Sequence, residues 1–119
     1  MMHSVTYQRG DLVLVDLEPV IGSEQGMKRP CVVLSNAATV RASGSRLVYF
    51  VIPLTSAKKL RGPLAPILEQ SEDGLRADSV ALIMHARSIS PARILAKWGQ
   101  VSAQDVTTLQ AAVKHLIES

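Results

Sequence analysis

Basic side chains stand in two loops of this sequence, and their chemistry suits a polyanion. Arg29 lies where a glycine-containing loop meets an apolar run. A guanidinium at such a junction can contact two phosphate oxygens with its planar fork, and it does not lose its proton. Lys58, Lys59 and Arg61 lie in the second loop, where they can act as counter-charges to phosphates. The net charge of +3 and the pI of about 9.4 favour a polyanionic partner. The alternative is that these cations form an ordinary solvated surface.

Two hydroxyls and one imidazole are the other groups suited to chemistry. Thr55 and Ser56 follow the predicted end of a strand, where a hydroxyl can donate to an oxygen that gains negative charge. Such a threonine can equally bond the local backbone. His85 carries an imidazole, a group that can act as a general base, although a lone strand histidine is more often structural. Strand alternation predicts that His85 shares a face with Ser79 and Arg87.

The composition excludes several classes of protein. The single cysteine, Cys31, excludes an internal disulfide and a multi-thiolate zinc site, and it is expected to be a small buried hydrophobe. No cluster of Asp, Glu and His predicts a metal, and no cofactor is expected. One Trp, two Tyr and one Phe leave few residues for an aromatic stacking platform. Without a secretory signal or an apolar run of about 20 residues, the expectation is a cytoplasmic protein with no membrane partner.

Short aliphatic runs separated by Gly and Pro predict a mainly β fold in a single domain, residues 1–119. Pro53 near the end of its run suggests an edge strand or a break. We expect about five or six strands arranged as a small closed barrel, because the first run is apolar on both parities. The predicted strands are Asp11–Leu17, Pro30–Ser35, Arg46–Leu54, Leu64–Leu68 and further strand within Asp78–Ile89.

The C-terminal segment has the period of an amphipathic helix. Ser102 followed by Asp105 is typical of a capping box. Apolar residues then recur at three- and four-residue spacing, which predicts one helical face packed on the barrel. This stripe comprises Val106, Leu109, Val113, Leu116 and Ile117.

Five segments follow one another in an order typical of a known protein family. They are Arg9-Gly10-Asp11 leading to Asp16-Leu17-Glu18-Pro19, Gly22-Ser23-Glu24-Gln25-Gly26, Arg29-Pro30-Cys31-Val32-Val33-Leu34-Ser35, Ile52-Pro53-Leu54-Thr55-Ser56, and Asp78-Ser79-Val80 with Ala86-Arg87-Ser88-Ile89. Trp98-Gly99 before the helix completes the set. In this order they resemble the MazF/PemK/Kid toxin family over residues 9–117.

The resemblance implies a fold, an activity and partners. The fold would be a small SH3-like β-barrel of the CcdB/Kid/MazF type with a C-terminal helix. The activity would be that of a type II toxin: metal-independent, sequence-specific cleavage of single-stranded RNA, including mRNA, which inhibits translation and growth. The products would carry 2′,3′-cyclic phosphate and 5′-hydroxyl ends. The chain would form a homodimer and be inhibited by a cognate acidic antitoxin.

The resemblance also assigns roles to residues. Arg29 and Thr55 would be catalytic. Some relatives carry a histidine where this chain has Ser23, and the chain instead offers His85 as a candidate base. Some relatives also carry an arginine and an acid where this chain has Leu82 and Met84. The residues expected to contact substrate are Ser23, Glu24, Gln25, Ser56, Lys58, Lys59, Arg61 and Arg87.

Three alternatives stay open at the level of sequence. A CcdB-like toxin poisons DNA gyrase with the same barrel and needs neither Arg29 nor Thr55 for chemistry. An inactive relative that only binds RNA or an antitoxin would fit the differences at Ser23, Leu82 and Met84. A generic SH3-like interaction domain is disfavoured, because proline-rich ligands bind in aromatic-lined grooves.

Overall fold

Antiparallel strands form most of the computed structural model, which describes residues 7–17, 28–36, 48–56 and 62–118. Two 3₁₀ turns, Ile83–His85 and Pro91–Arg93, flank one of the strands, and the last element is the helix α1, Ala103–Glu118. The strands are β1 (Asp11–Asp16), β2 (Lys28–Val33), β3 (Tyr49–Thr55), β4 (Ile67–Leu68), β5 (Ser79–Ala81), β6 (Arg87–Ile89) and β7 (Ile94–Gln100). The prediction of a mainly β chain with a C-terminal helix is therefore confirmed.

The strands pair in the order β4-β5-β3-β2-β1-β7, and β6 pairs with β3 beside this path. Within the described residues the two outer strands, β4 and β7, are not paired with each other. The SH3-like sheet is therefore open, and the expectation of a completely closed barrel is corrected.

Pro53 lies inside β3, which is a central strand and not an edge. It pairs with Cys31 of β2, and its carbonyl accepts the N–H of Leu82 on the opposite side (2.9 Å). Because the N–H and C=O of one residue in an extended strand point to the same side, the missing proline N–H leaves the ladder to β2 intact. On the open side the partner of β3 changes from β6, at Tyr49–Val51, to β5, at Leu54–Thr55.

The sheet buries a separate apolar cluster on each face. One cluster joins Leu12, Val32 and Ile52 to Leu109 and Ala112 of α1. The other contains Val13, Cys31 and Val51. The predicted first strand is apolar at both odd and even positions for this reason. Val13 and Val15 of β1 face one cluster, and Leu12 faces the other. The second face carries the predicted catalytic arginine.

The predicted capping box at the start of α1 is present. The N–H of Asp105 donates to the Ser102 hydroxyl (3.0 Å). Burial raises the pKa of the Asp105 carboxyl, opposed by its hydrogen bonds from the Ser102 side chain and backbone. Of the predicted stripe, Leu109 is buried and Val106, Val113 and Leu116 pack on the core. The prediction that Ile117 packs on the core is wrong, because its side chain is 74% exposed.

Two segments differ from the predicted pattern. Asp78–Ile89 is not one strand, because a 3₁₀ turn separates β5 from β6. β7 was not predicted; it pairs with β1 and is followed directly by the cap of α1. Gly99 of β7 has φ +154°, and a Cβ there would collide with the Asp73 carbonyl. Only glycine allows this close approach.

Candidate active site

Arg29 and Thr55 lie at the same end of the sheet on neighbouring strands. Arg29 is the second residue of β2, and Thr55 is the last residue of β3. The register places Cys31 opposite Pro53 and Val33 opposite Val51. Since side chains alternate along a strand, the same register continued by two residues brings Arg29 opposite Thr55, on the face that holds Cys31. Both residues are half-buried.

Backbone pairing fixes the position of both residues. Arg29 pairs with Val15 of β1, which is fully buried. Thr55 pairs with Val80 of β5, which is also fully buried. The guanidinium and the hydroxyl therefore project from rigid, paired strands, although each lies within two residues of a strand end. Such rigid placement suits a group that must meet a charge developing in a transition state.

Arg87 lies on the same face as Arg29 and Thr55. It is the first residue of β6 and pairs with Val51 of β3, which has the parity of Thr55. Burial raises the pKa of the Cys31 thiol to about 12, and the charges of Arg29 and then Arg87 oppose that rise. The two guanidinium groups are thus within electrostatic reach of one sulfur.

Neither arginine is neutralised by a carboxylate within the described chain. The ion pair found there is a different one, between Lys97 Nζ and Asp11 Oδ1 at 3.3 Å. Two charges of one sign beside a fully buried, uncharged thiol create a positive potential on this face. The face can therefore attract an anion, and the fork geometry of the guanidinium favours phosphate.

His85 is not placed by strand alternation. It is exposed and ends the 3₁₀ turn that begins at Ile83, which packs into the cluster under α1. Its N–H donates to the Leu82 carbonyl (3.0 Å). The interpretation that put it on one strand face with Ser79 and Arg87 is therefore wrong.

The remaining predicted residues are only partly covered by the structure. Ser56 is exposed directly after β3. Asp16 and Lys28, the strand ends on either side of residues 18–27, pair with each other at the same end of the sheet as Thr55. The residues that lie outside the described part are Ser23, Glu24, Gln25, Lys58, Lys59 and Arg61.

Asp11 is a structural residue that the sequence analysis did not single out. It is 1% exposed, and its carboxylate accepts from the Gln8 N–H (2.9 Å) and the Gln100 amide (3.0 Å) besides pairing with Lys97. These contacts hold β1 against β7, and so support the strand that pairs with Arg29. The feature of the sequence that could have identified Asp11 is its position as an acidic residue at the start of an apolar strand. Over residues 7–17, 28–36, 48–56 and 62–118, no three His, Cys, Asp or Glu side chains come together as metal ligands would.

Residues 8–117 match the model of the PemK-like, MazF-like toxins of type II toxin-antitoxin systems. The chain belongs to this family. Endoribonuclease MazF9 of Mycobacterium tuberculosis is 38% identical over 113 residues, which cover 92% of this chain and 95% of that protein. Endoribonuclease EndoA of Bacillus subtilis is 34% identical over 90 residues, 76% of either chain.

Solved structures agree with the family and the fold. A crystal structure of MazF from Deinococcus radiodurans has a TM-score of 0.76 at 26% identity and covers 98% of this chain and 100% of that one. A MazE-MazF crystal structure from the same organism has a TM-score of 0.73 at 26% identity, covering 96% and 97%. The open sheet and terminal helix of this toxin are therefore the SH3-like fold of the MazF structures. No helix in the described part of the toxin has the length and apolar character to span a membrane.

Proposed function

We propose that this toxin is an endoribonuclease that cleaves single-stranded RNA, mRNA included, and thereby inhibits translation and growth. The observation that carries the proposal is the face on which Arg29, Thr55 and Arg87 come together beside Cys31. The endoribonuclease names of the Mycobacterium tuberculosis and Bacillus subtilis relatives support it. The whole chain, residues 1–119, would act as a single toxin domain that uses no metal and no cofactor.

The proposed reaction is attack of a ribose 2′-hydroxyl on its own phosphorus. The new bond joins O2′ to phosphorus, and the bond to the 5′-oxygen breaks, so the products are a 2′,3′-cyclic phosphate and a 5′-hydroxyl. Negative charge develops on the phosphorane oxygens in between. Arg29 would hold two of these oxygens with its fork, and the Thr55 hydroxyl would donate to one of them.

The proton transfers need a second kind of group. Arginine is a poor proton acceptor, because its guanidinium stays protonated in proteins. His85 stays a prediction as the general base. Arg87 would bind a phosphate beside the scissile one. The other RNA contacts expected from the sequence stay predictions, and they are Ser23, Glu24, Gln25, Ser56, Lys58, Lys59 and Arg61.

The proposed partners follow from the same face and from the family. Two copies of the toxin would form a homodimer in the cytoplasm, and the cognate antitoxin would bring an acidic segment to the positive face. The MazE-MazF complexes among the similar structures support an antitoxin partner. An acidic segment would be attracted to Arg29 and Arg87 by the potential that attracts RNA.

The experiment is incubation of the toxin with a long unstructured RNA in EDTA, followed by analysis of the new ends. We expect cleavage that survives the chelator and leaves cyclic phosphate and 5′-hydroxyl ends. The Arg29→Ala variant, purified identically, controls for contaminating ribonucleases and should be nearly inactive. A requirement for Mg²⁺, 5′-phosphate products, or equal cleavage by the variant would refute the proposal.

A further inference from the structure

Two residues of β7 have no partner in the ladder to β1. Leu12 pairs with Gly99 and Val13 with Lys97, so Trp98 is skipped. Leu14 pairs with Ala96 and Val15 with Ile94, so Leu95 is skipped. Register shifts of this kind are what β-bulges produce, and bulges redirect side chains at sheet edges. The two skipped residues are the large apolar side chains that β7 exposes, Leu95 at 48% and Trp98 at 53%.

Trp98 is placed unlike the tyrosine rings the structure describes. Tyr49 is fully buried and meets Tyr7 edge to face, with ring centroids 5.5 Å apart. The only tryptophan of the chain instead leaves half its surface in solvent on the outer strand β7. Proteins usually avoid exposed apolar groups on an outer strand, because such groups promote aggregation. The exposure of Trp98 therefore favours a binding role for this side chain.

Cations flank the two apolar side chains. Lys97 stands between them and is 47% exposed, with one contact to Asp11. Arg93, just before β7, donates one Nη1 hydrogen bond to the Asp16 carbonyl (3.2 Å). An ammonium has three donors and a guanidinium five, so each keeps donors for another acceptor. Proteins that bind single-stranded nucleic acids combine aromatic rings with basic side chains. The ring stacks on a base, and the cations contact the phosphate backbone.

The edge is continuous with the candidate active site. Ile94 pairs with Val15, and Val15 pairs with Arg29, so one row of residues crosses β7, β1 and β2. At strand spacings of about 4.8 Å, Ile94 lies about 10 Å from Arg29. Trp98 is four residues further along β7, roughly another 10–13 Å. A strand of RNA held at Arg29 can therefore reach the edge.

We propose that Trp98 stacks on a base of single-stranded RNA outside the cleavage centre, with Leu95 beside it and Lys97 and Arg93 near the backbone. The inference rests on the proposed function for the identity of the substrate. One ring face is enough to stack a base. A stable protein interface needs about 800 Å² per partner, far more than two half-exposed side chains supply. The size and charge of the patch therefore favour RNA over a second copy or another protein.

The single tryptophan makes the test direct, since all tryptophan emission comes from Trp98. The probe is a mixed-sequence 12-mer RNA carrying a 2′-O-methyl group on every ribose, which removes the attacking hydroxyl. We expect its addition to quench the emission of the wild-type toxin as binding saturates. Anisotropy of a labelled copy of the 12-mer measures the affinity independently. Binding without any change in emission would overturn the proposal.

Variants separate stacking from folding and charge. Trp98→Ala should raise the Kd about five- to a hundredfold, the usual range for losing one stacked base. Trp98→Phe should stay within about threefold of wild type. The salt dependence should not change, because stacking releases no counterions. Gln104→Ala, which truncates an exposed side chain in the first turn of α1, is the control and should bind normally.

Three further outcomes would decide between the Trp98 proposal and its alternatives. Equal binding by Trp98→Ala and wild type would refute the proposal. An emission shift that follows protein concentration without RNA would assign the patch to a second copy and also refute it. Failure of wild type to cleave unmodified RNA, while the 12-mer still quenches Trp98, would refute the proposed function and leave this site standing.

Discussion

Arg29 and Thr55 show how far residue types and strand register define a phosphate-binding site. The sequence marks both as strand-end residues with suitable chemistry, and the pairing of β2 with β3 brings them together on one face. That face was predictable because Cys31 and Pro53 stand at the same parity as the two residues. The placement of His85 was not, since three residues of 3₁₀ geometry shift the phase of everything after Ala81.

Arg29→Ala should lower the cleavage rate by on the order of a hundredfold or more, the usual cost of losing one transition-state donor. Arg29→Lys should recover little of it, because a point charge cannot make the paired contact. The measurement is single-turnover cleavage of one RNA by the variants. Arg76→Ala, which removes an exposed arginine from the turn before β5, is the control and should cleave normally. Near-normal cleavage by a folded Arg29→Ala protein would remove Arg29 from the site.

Cys31 makes stability depend on pH above neutrality. Its pKa rises from 9.0 to about 12 on burial, so the folded chain keeps a proton that the unfolded chain loses. The stabilisation is complete below pH 9 and is lost as the pH rises from about 9 toward 12.

Urea unfolding of wild type should therefore lose about 1 kcal/mol more between pH 8 and pH 10 than unfolding of Cys31→Val, which cannot ionise. The comparison cancels the other groups that titrate in this range. The native thiol should also resist a thiol reagent at pH 8 and react once the chain is unfolded. Equal pH dependence in the two proteins would show that Cys31 is not held neutral.

At the scale of elements, the helix was predictable and β7 was not. The period of α1 and its cap are local signals, and both survive in the structure. In β7 two extra residues interrupt the ladder, so polar and apolar side chains do not alternate with a period of two. The strand exists because β1 supplies a partner and Asp11 a buried anchor, and both are contributions from distant sequence.

Ser102→Ala should lower the free energy of unfolding by about 1 kcal/mol, because the N–H of Asp105 loses its acceptor and α1 its cap. The cost reaches the core, since Leu109 and Ala112 of α1 close one apolar cluster. Urea denaturation followed by circular dichroism measures it. Ser88→Ala, at an exposed position of β6, is the control and should change little. An unchanged midpoint for Ser102→Ala would mean that the helix does not depend on its cap.

At the scale of the whole molecule, several large apolar side chains of the described residues are exposed to solvent. Val48, Ile67, Met84 and Ile117 are exposed besides the two residues of β7. Along the second half of α1 an open groove of about 310 Å³ is lined by Leu34, Val113 and Ile117, with Gln110, Lys114 and Glu118 at its side. A small domain can bury such surface against a second copy in a two-fold dimer.

We therefore expect a dimer at micromolar concentration, carrying twice the +3 charge of one chain. An acidic segment should compete with RNA for it, because both are attracted to Arg29 and Arg87 and the segment would occupy the RNA path. Sedimentation measures the mass, and displacement of a labelled 2′-O-methyl 12-mer by a glutamate-rich peptide measures competition. The displacement should weaken as salt rises, and a lysine-rich peptide of equal length should have no effect. A monomer at such concentrations would count against the dimer. An acidic peptide that binds while the RNA stays bound would show that the two ligands use different faces.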